Sequence, residues 1–340
     1  MRDFALIQLT PGRLLVGWGP FRSDPAPPAP PAFYINDFFL SSERPWKSPA
    51  RWEIVESARL PELLGPAHLP PITWDPVDDD SFQSLFDAAH SAVLRGEFDK
   101  IVPVEFQSGR LTAAAPLVPW LLSRLAATPP ALTPYGWSIG EEGVLGATPE
   151  ALFEFRDGEV TTMALAGTRS LARARELLDD PKEQAEHQMV VDDITTQLAP
   201  FGAPLVGPTS VMELPGLAHL RTAIGVHPAV FPEFEEIVAA LHPTAALGSS
   251  PRNHAATEWL RRADAGVDRR EFGAPFGALL LDGEAICVVG IRNISWRGPE
   301  VRIGAGAGVL AGSRMEMERK ELARKRDQVR RLFGLEENPE

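Results

Sequence analysis

The sequence contains a single cysteine, Cys287, among its 340 residues. One cysteine excludes a disulfide framework within the chain and any metal site built from several thiolates. Cys287 lies in the apolar run formed by residues 285–289, where a buried and unreactive thiol is far more common than a nucleophile. We therefore predict that Cys287 belongs to the hydrophobic core.

Long apolar runs and an excess of basic residues are missing as well. No window reaches the roughly 18 consecutive apolar residues that a membrane-spanning helix needs, and residues 1–4 do not begin the apolar stretch of a signal peptide. Acidic residues outnumber basic ones by 46 to 33, giving a net charge of -13, which disfavours binding to a phosphate backbone. We expect a cytoplasmic protein that binds neither nucleic acid nor a membrane.

The first part of the chain is rich in strand and turn signals. Residues 4–9 and 13–18 are predicted to form two short strands around a turn at Pro11-Gly12. The proline-rich residues 25–31 cannot form a helix interior or a central strand. They are interpreted as a stiff surface connection, and the alternative is a recruiting motif for a proline-reading domain.

The rest of the chain alternates between hairpins and a few long helices. Hydrophobic periodicity and cap residues predict helices over residues 81–96, 180–198 and 315–333, and strands over residues 101–104, 150–156, 159–165, 279–281, 285–291 and 301–303. Hairpins outnumber β-helix-β units. We therefore predict an α+β fold, within the broad α/β class, whose core is formed by large, mostly antiparallel sheets with helices packed outside.

The predicted domain organisation has three parts. Residues 1–75 supply short strands and the proline-rich segment as part of the same fold, residues 76–335 form the main domain, and residues 336–340 are a tail.

Two predicted helices carry paired carboxylates. Glu183 and Glu186 are three residues apart, and so are Glu318 and Glu321, so each pair lies on one helix face. If the two faces meet across a cleft, the hard oxygen ligands would suit a magnesium ion. The spacing alone fits ordinary solvated helix faces better, since Lys325 follows Glu321 at the distance of a surface ion pair.

Residues 304–308 form the glycine-rich run Gly304-Ala305-Gly306-Ala307-Gly308 directly after a predicted strand. A dinucleotide-binding loop is disfavoured, because only one helix remains before the end of the chain. A substrate carboxylate that approaches bare backbone amides explains the glycines better.

Several motifs occur together in one order, and the chain thereby resembles the chorismate-utilising enzymes. That family includes the anthranilate synthase large subunit, aminodeoxychorismate synthase, salicylate synthase and isochorismate synthase. The resemblance covers about residues 80–335 and implies that residues 76–335 form a chorismate-binding catalytic domain. Its segments are Lys100-Ile101-Val102, Gly146-Ala147-Thr148-Pro149-Glu150, Ala164-Leu165-Ala166-Gly167-Thr168-Arg169, Lys182-Glu183-Gln184-Ala185-Glu186-His187, Leu241-His242-Pro243-Thr244-Ala245-Ala246, Ile291-Arg292, Ala305-Gly306-Ala307-Gly308 and residues 318–325.

The resemblance implies roles for individual residues. Lys100 matches the general base that acts on water, and Glu150 matches the acid that protonates the departing hydroxyl. The implied Mg²⁺ ligands are Glu186 and Glu321, with Glu183 and Glu318 beside them. The implied substrate-binding residues are Gly167, Thr168, His219, Ala246, Phe272, Arg292, Gly306 and Lys325. For His219, a structural role is an equal alternative.

Four positions indicate which member of the family the chain resembles most. Members that use ammonia carry glutamine in place of Lys100, and aminodeoxychorismate synthase carries lysine in place of Ala166. Salicylate synthase typically has threonine in place of Ala246, and Phe272 matches the aromatic residue of isochorismate synthases. The resemblance thus implies an isochorismate synthase without a glutamine amidotransferase subunit. Salicylate synthase and a catalytically silent chorismate-binding or scaffold protein are the alternatives, and a menaquinone or a siderophore pathway is equally compatible.

Two departures from the family pattern affect the surroundings of the expected site. The family usually has arginine where this chain has Glu105, five residues after Lys100. Its usual glycines before the proline in the Ala246 segment are replaced by Ser249 and Ser250.

Overall fold

The structure is a computed structural model that describes residues 2–69, 71–112 and 117–335, without the side chain of Asp79. The predicted tail at residues 336–340 lies outside the described residues. The strands of the first half are β1 (Phe4–Thr10), β2 (Arg13–Asp24), β3 (Ala32–Ile35), β4 (Trp46–Glu56), β5 (Ile72–Trp74), β6 (Lys100–Ile101), β7 (Val104–Leu111), β8 (Thr133–Ile139), β9 (Glu142–Thr148) and β10 (Ala151–Arg156).

The strands of the second half complete the set. They are β11 (Glu159–Ser170), β12 (Leu205–Val206), β13 (Ser210–Leu214), β14 (Leu217–Val226), β15 (Ser249–Ser250), β16 (Pro275–Leu279), β17 (Ala285–Val289), β18 (Asn293–Arg297), β19 (Glu300–Gly306) and β20 (Val309–Leu310). The helices are α1 (Asp79–Leu94), α2 (Leu117–Leu125), α3 (Pro181–Leu198), α4 (Phe234–Leu241), α5 (His254–Asp264) and α6 (Met315–Phe333). Short 3₁₀ segments cover Ser57–Glu62, Leu171–Asp179 and Ala199–Phe201.

Among the described residues, seventeen of the strands form one continuous sheet in which every pairing is antiparallel. Hydrogen bonding can be followed from β5 through β7, β19, β18, β9, β8, β1 and β2 to β4. It continues through β3, β16, β17, β10, β11 and β14 to β13. A separate small sheet contains β15, β6 and β20. The predicted fold class is confirmed.

The hydrophobic core has layers because the long sheet folds onto itself. Between its two halves, side chains such as Ile7, Phe33, Tyr135 and Phe276 pack against each other. One outer layer joins α2 and α6 to the sheet, and another joins α1, α3, α4 and α5 to it. Burial of each apolar face against the next layer stabilises the arrangement.

Local sequence signals set the ends of the two longest helices. Asp180 caps α3, since its side chain accepts hydrogen bonds from the backbone amides of Lys182 and Glu183, and Pro181 occupies the first turn. Gly334 ends α6 in the left-handed conformation at φ 58°. The predictions for α1, α3 and α6, and for the hairpin of β10 and β11, are confirmed within a few residues.

Two strand predictions are corrected by the structure. The strand predicted at residues 101–104 is interrupted at Val102 and Pro103, which separate β6 from β7, because proline cannot donate to a ladder. The strand predicted at 279–281 lies earlier, as β16, and residues 280–284 make the turn into β17. The proline-rich residues 25–31 connect β2 to β3 and are mostly exposed, as predicted.

Cys287 is fully buried in β17, which confirms its assignment to the core, and burial raises the pKa of its thiol well above the usual value. Within the described ranges, no helix is both long and apolar enough to cross a membrane.

Candidate active site

One cleft collects most of the residues that the family resemblance singled out. It lies beside the small sheet, between α3, α6 and the ends of several long strands. Its lining includes Lys100, Glu150, Gly167, Thr168, Glu186, His219, Ala246, Phe272, Arg292, Gly306, Glu321 and Lys325. Glu183 and Glu318 adjoin the cleft without lining it. All predicted site residues are therefore within one region of the fold.

Lys100 occupies the small central strand β6, which pairs with β15 on one side and β20 on the other. Its side chain is only 1% exposed, and its Nζ lies 2.8 Å from Glu186 Oε1. Gly308 makes room for this pair. A Cβ at Gly308 would lie 2.6 Å from the Lys100 Cε and 2.9 Å from Glu186 Oε1. Gly308 of the glycine-rich run therefore leaves the space that the Lys100 side chain occupies.

Glu150 stands immediately before β10, and its backbone carbonyl accepts a hydrogen bond from the Val289 amide. The residue is 3% exposed. Burial raises the pKa of its carboxyl to about 7, against the opposing effects of a hydrogen bond from Thr244 and the charges of Lys100, Arg292 and Lys325. Glu150 can therefore hold a proton near neutral pH, as a general acid must.

The first carboxylate pair lies on the N-terminal half of α3. Glu183 is buried, and it accepts hydrogen bonds from the Thr168 amide at 2.8 Å and from Arg169 Nη1 at 2.7 Å. Burial and the nearby charge of Glu186 raise the pKa of Glu183. Glu186 points instead toward Lys100, so the two carboxylates of this pair have different cationic partners.

The second carboxylate pair lies at the start of α6. Burial and the neighbouring Glu321 raise the pKa of Glu318 to about 7, and Glu186 contributes in the same direction. The pair on α6 therefore lies within electrostatic reach of the pair on α3. Burial also acts to raise the pKa of Glu321, but Lys325, at 2.7 Å, outweighs it and the pKa is lowered.

The four carboxylates fit a magnesium ion in their chemistry. All are hard oxygen donors, and the repulsion that raises the pKa values of Glu183 and Glu318 would be relieved by a cation. In the described part of the chain, however, no three acidic, histidine or cysteine side chains converge closely enough to enclose a metal ion. Glu186 and Glu321 would have to exchange their lysine partners for the metal.

Arg292 and Lys325 supply positive charge to the same cleft. Arg292 is 8% exposed, and its Nε has no hydrogen-bond partner among the described residues. Burial lowers the pKa of Arg292 to about 10, while Glu321 and Glu150 act in the opposite direction. Lys325 Nζ donates to the Gly306 carbonyl at 2.7 Å. Both side chains are cations of a kind that pairs with carboxylates.

The backbone at Arg292 is held in an unusual conformation, with φ at 54°. A non-glycine residue there costs on the order of 1–3 kcal/mol. Three neighbouring hydrogen bonds hold it: Tyr135 Oη donates to the Ile291 carbonyl, and Asn293 Nδ2 donates to both Tyr135 Oη and the Gly290 carbonyl. Such strain is typical of functional positions.

His219 has one satisfied and one unsatisfied ring nitrogen. Its Nδ1 lies 3.1 Å from the Gly167 carbonyl and 3.2 Å from Thr168 Oγ1, while Nε2 is buried without a partner among the described residues. Burial, together with the charges of Arg292 and Lys325, lowers the pKa of His219 to about 3. The neutral ring donates from Nδ1 to the carbonyl, which leaves Nε2 as a hydrogen-bond acceptor in the cleft.

Two residues that sequence reasoning missed support Glu150 and the segment that follows Lys100. Thr244 Oγ1 donates to Glu150 Oε1 at 3.4 Å, and it lies within the motif that ends at Ala246. Arg269 is fully buried, pairs with Asp264, and donates to the carbonyls of Val102 and Leu247. Arg269 thereby connects the residue that follows β6 to the residue that follows Ala246. A buried arginine of this kind has no signal in the sequence alone.

The two departures from the family pattern lie outside the lining of the cleft. Glu105 forms a buried ion pair with Arg326 of α6. Ser249 and Ser250 form β15 and pair with β6, opposite Ile101 and Lys100 respectively. Both changes therefore affect elements next to the cleft, namely α6 and β6.

A protein-family model described as chorismate binding enzyme matches residues 51–334. The chain belongs to the chorismate-binding enzyme family. Among curated relatives, it is 32% identical over 268 residues to a salicylate biosynthesis isochorismate synthase of Pseudomonas aeruginosa, covering 74% of this chain and 55% of the relative. It is 28% identical over 270 residues to isochorismate synthase MenF of Escherichia coli, covering 76% and 61%. The chain thus spans between half and two thirds of the length of these relatives.

Solved structures of the family share the fold. The isochorismate synthase DhbC of Bacillus anthracis, described as putative, superposes with a TM-score of 0.83 at 22% identity, covering 98% of this chain and 97% of that one. Anthranilate synthase component I of Streptococcus pneumoniae superposes with a TM-score of 0.72 at 17% identity, covering 97% and 90%. At these identities the likeness concerns the fold.

Proposed function

We propose that this chain is an isochorismate synthase, which converts chorismate reversibly to isochorismate and depends on Mg²⁺. The observation that carries the proposal is the occurrence of Lys100 and Glu150, both buried, in one cleft with Arg292 and Lys325. A base, an acid and two carboxylate-binding cations are the groups that the reaction requires. Isochorismate synthases among the relatives support the same activity.

The proposed reaction exchanges one hydroxyl for another. Lys100 takes a proton from water, whose oxygen attacks C2 of the ring. The double bonds shift, and the C4 hydroxyl leaves as water with a proton from Glu150. The product is an isomer of the substrate, and the reverse reaction exchanges the two roles.

The remaining residues orient the substrate. Arg292, Lys325 and the backbone at Gly306 would bind its carboxylates, and His219 Nε2 would accept a hydrogen bond from a hydroxyl. Glu186 and Glu321, with Glu183 and Glu318 beside them, would hold Mg²⁺, whose charge would fix the ring carboxylate.

Product analysis tests the proposal directly. The protein is incubated with chorismate and Mg²⁺, and the products are separated by chromatography against a sample without protein. Isochorismate as the main product is the expected result. Salicylate beyond its spontaneous formation would indicate a salicylate synthase, and unchanged chorismate would indicate a catalytically silent binding protein.

The nature of residue 246 is expected to influence the product. Ala246 lines the cleft, and a bulkier hydrogen-bonding side chain would favour the pose from which isochorismate eliminates pyruvate. Ala246→Thr should raise the salicylate fraction modestly, because one side chain changes a pose by about 1–3 kcal/mol. Ala246→Val is the matched control for bulk without a hydroxyl. An equal effect of both substitutions would assign the change to size alone.

The contribution of Glu150 to the rate of isochorismate formation should fall as the pH rises through about 7. Burial raises the pKa of Glu150 to about 7, so its acidic form predominates below that pH and is lost above it. Because the base must be unprotonated while the acid is protonated, the effect of Glu150 is measured as the ratio of kcat in the wild type to kcat in Glu150→Gln, which retains Lys100 and has no carboxyl proton to lose. This ratio should decrease about tenfold per pH unit above about pH 7. Parallel pH profiles of kcat measure it, and a ratio that is independent of pH would contradict the role of Glu150 as the acid.

A further inference from the structure

Arg292 also lines a second cavity, with a volume of about 240 Å³. The cavity opens beside two exposed residues, Arg124 in the last turn of α2 and Ala127 just after that helix, and its deeper wall contains Ala147 of β9. Ala147 is three residues before Glu150. The cavity is therefore connected to the active site through one buried side chain and one short segment of backbone.

The lining combines an apolar wall with unsatisfied polar groups. Leu132, Leu214 and Leu332 contribute much of the apolar surface. Gln328 Nε2 donates to the Pro215 carbonyl at 2.8 Å, and Gln328 Oε1 is buried without a hydrogen-bond partner among the described residues. Nε of the buried Arg292 also has no hydrogen-bond partner among those residues. Two side chains that line the cavity therefore carry an unused donor and an unused acceptor.

Positive charge is concentrated at this cavity although the protein carries a net charge of -13. Arg124 lies over the ring of Trp120, at 5.8 Å from its centroid, and forms no ion pair with any described residue. Together with Arg292 it favours an anion. The volume lies just below the range of about 300–1,000 Å³ that is typical of sites for drug-sized molecules, which favours a ligand with one ring.

We propose that this cavity binds a single-ring aromatic carboxylate that bears a hydroxyl or amino group. The ring packs against the leucines, the carboxylate faces Arg292 and Arg124, and the hydroxyl or amino hydrogen is donated to Gln328 Oε1. Each unsatisfied group of the cavity thus acquires a partner of matching chemistry.

Occupancy of this cavity weakens substrate binding, because the Arg292 guanidinium then faces a carboxylate on each side. Linkage requires the reverse effect to be equal, so substrate weakens binding in the cavity by the same factor. This regulatory effect rests on the proposed function, whereas binding of the aromatic carboxylate does not.

Calorimetric titration of the full chain with 4-hydroxybenzoate, benzoate and phenol tests the binding site. We expect 4-hydroxybenzoate to bind best and phenol to bind at least about tenfold more weakly, since phenol lacks the charge-assisted contact. Ala127→Phe, which fills the cavity mouth, and Arg124→Gln should both weaken binding about tenfold, and Gln328→Leu should remove the preference for 4-hydroxybenzoate over benzoate. Circular dichroism checks the fold, and Arg124→Gln, at an exposed position, decides the matter if Ala127→Phe misfolds.

Steady-state kinetics separates this cavity from the active-site cleft. As 4-hydroxybenzoate increases, the KM for chorismate should rise several-fold and then level off, because both molecules can be bound together. A competitor in the cleft would raise KM without limit. Unlimited competition, an absence of binding, or binding unchanged in both Ala127→Phe and Arg124→Gln would overturn the proposal. If the chain does not convert chorismate, the proposed function fails while the calorimetry still decides the binding site.

Discussion

Lys100→Ala and Glu150→Gln should each lower kcat for isochorismate formation by about 10²–10⁴-fold, the usual contribution of a general acid or base. Lys100 is the buried amine of the cleft, and Glu150 is the buried carboxyl whose pKa is raised to about 7. Glu150→Gln preserves shape and can keep the contact with Thr244, but it cannot deliver a proton. Chorismate should still bind, since Arg292 and Lys325 remain.

Matched variants distinguish proton transfer from charge. Lys100→Arg keeps a cation that can face Glu186, but guanidinium does not deprotonate in proteins, so kcat should remain low. Lys325→Ala should raise KM more than it lowers kcat, because Lys325 is assigned to substrate binding. Titration calorimetry with chorismate checks that Lys100→Ala still binds. If that variant kept more than about a tenth of the wild-type kcat, the general-base role would have to be abandoned.

Much of the local structure follows from the sequence, because short-range signals determine it. Asp180 and Pro181 start α3, and Gly334 ends α6, through contacts within a few residues of each cap. The order of strands in the long sheet does not follow in this way. Pairing of Ala5 with Trp137, and of Phe33 with Ala278, depends on packing between distant segments, which local patterns do not encode.

The site, like the fold, depends partly on local sequence signals and partly on contacts between residues that are distant in sequence. Spacing alone favoured solvated faces for the two glutamate pairs, yet Glu183 and Glu318 are buried. Only the family resemblance brought these residues together with Lys100 and Glu150. The contact of Thr244 with Glu150 joins positions 94 residues apart in sequence, and no motif spacing predicts such a hydrogen bond. The roles of all these residues in catalysis and metal binding stay predictions.

The arrangement of lysines and glutamates suggests how the ion pairs of the site change when metal and substrate bind. In the structure, Lys100 and Lys325 are paired with Glu186 and Glu321. The proposed reaction needs the lysines for water and for a substrate carboxylate, and it needs the glutamates for Mg²⁺. Binding of the metal and of the dianionic substrate would therefore exchange two internal ion pairs for external partners. Metal and substrate are thus expected to bind with positive cooperativity.

Removal of the metal, or of one of its proposed ligands, should abolish turnover. Chelation should eliminate isochorismate formation and added Mg²⁺ should restore it, because the ring carboxylate would otherwise lack its fixed counter-charge. Glu321→Ala should have the same effect at ordinary Mg²⁺ concentrations. Glu316→Ala is the matched control, since Glu316 is exposed on the first turn of the same helix and should retain full activity.

A binding measurement independent of activity completes the test of the metal site. Mg²⁺ that binds only the folded protein stabilises it by about 2.7 kcal/mol at a concentration 100 times its Kd, so the wild-type Tm should rise with added Mg²⁺. The rise should be retained in Glu316→Ala and lost in Glu321→Ala, because one of the two principal carboxylates is then missing. Lys325→Ala tests whether the loss in Glu321→Ala comes from the missing metal ligand or from the broken ion pair with Lys325. This variant removes the competing cation but keeps Glu321, so Mg²⁺ should bind at least as tightly as in the wild type. Full activity in excess chelator, or an unchanged Mg²⁺-dependent rise of Tm in Glu321→Ala, would contradict the assignment of these carboxylates to the metal.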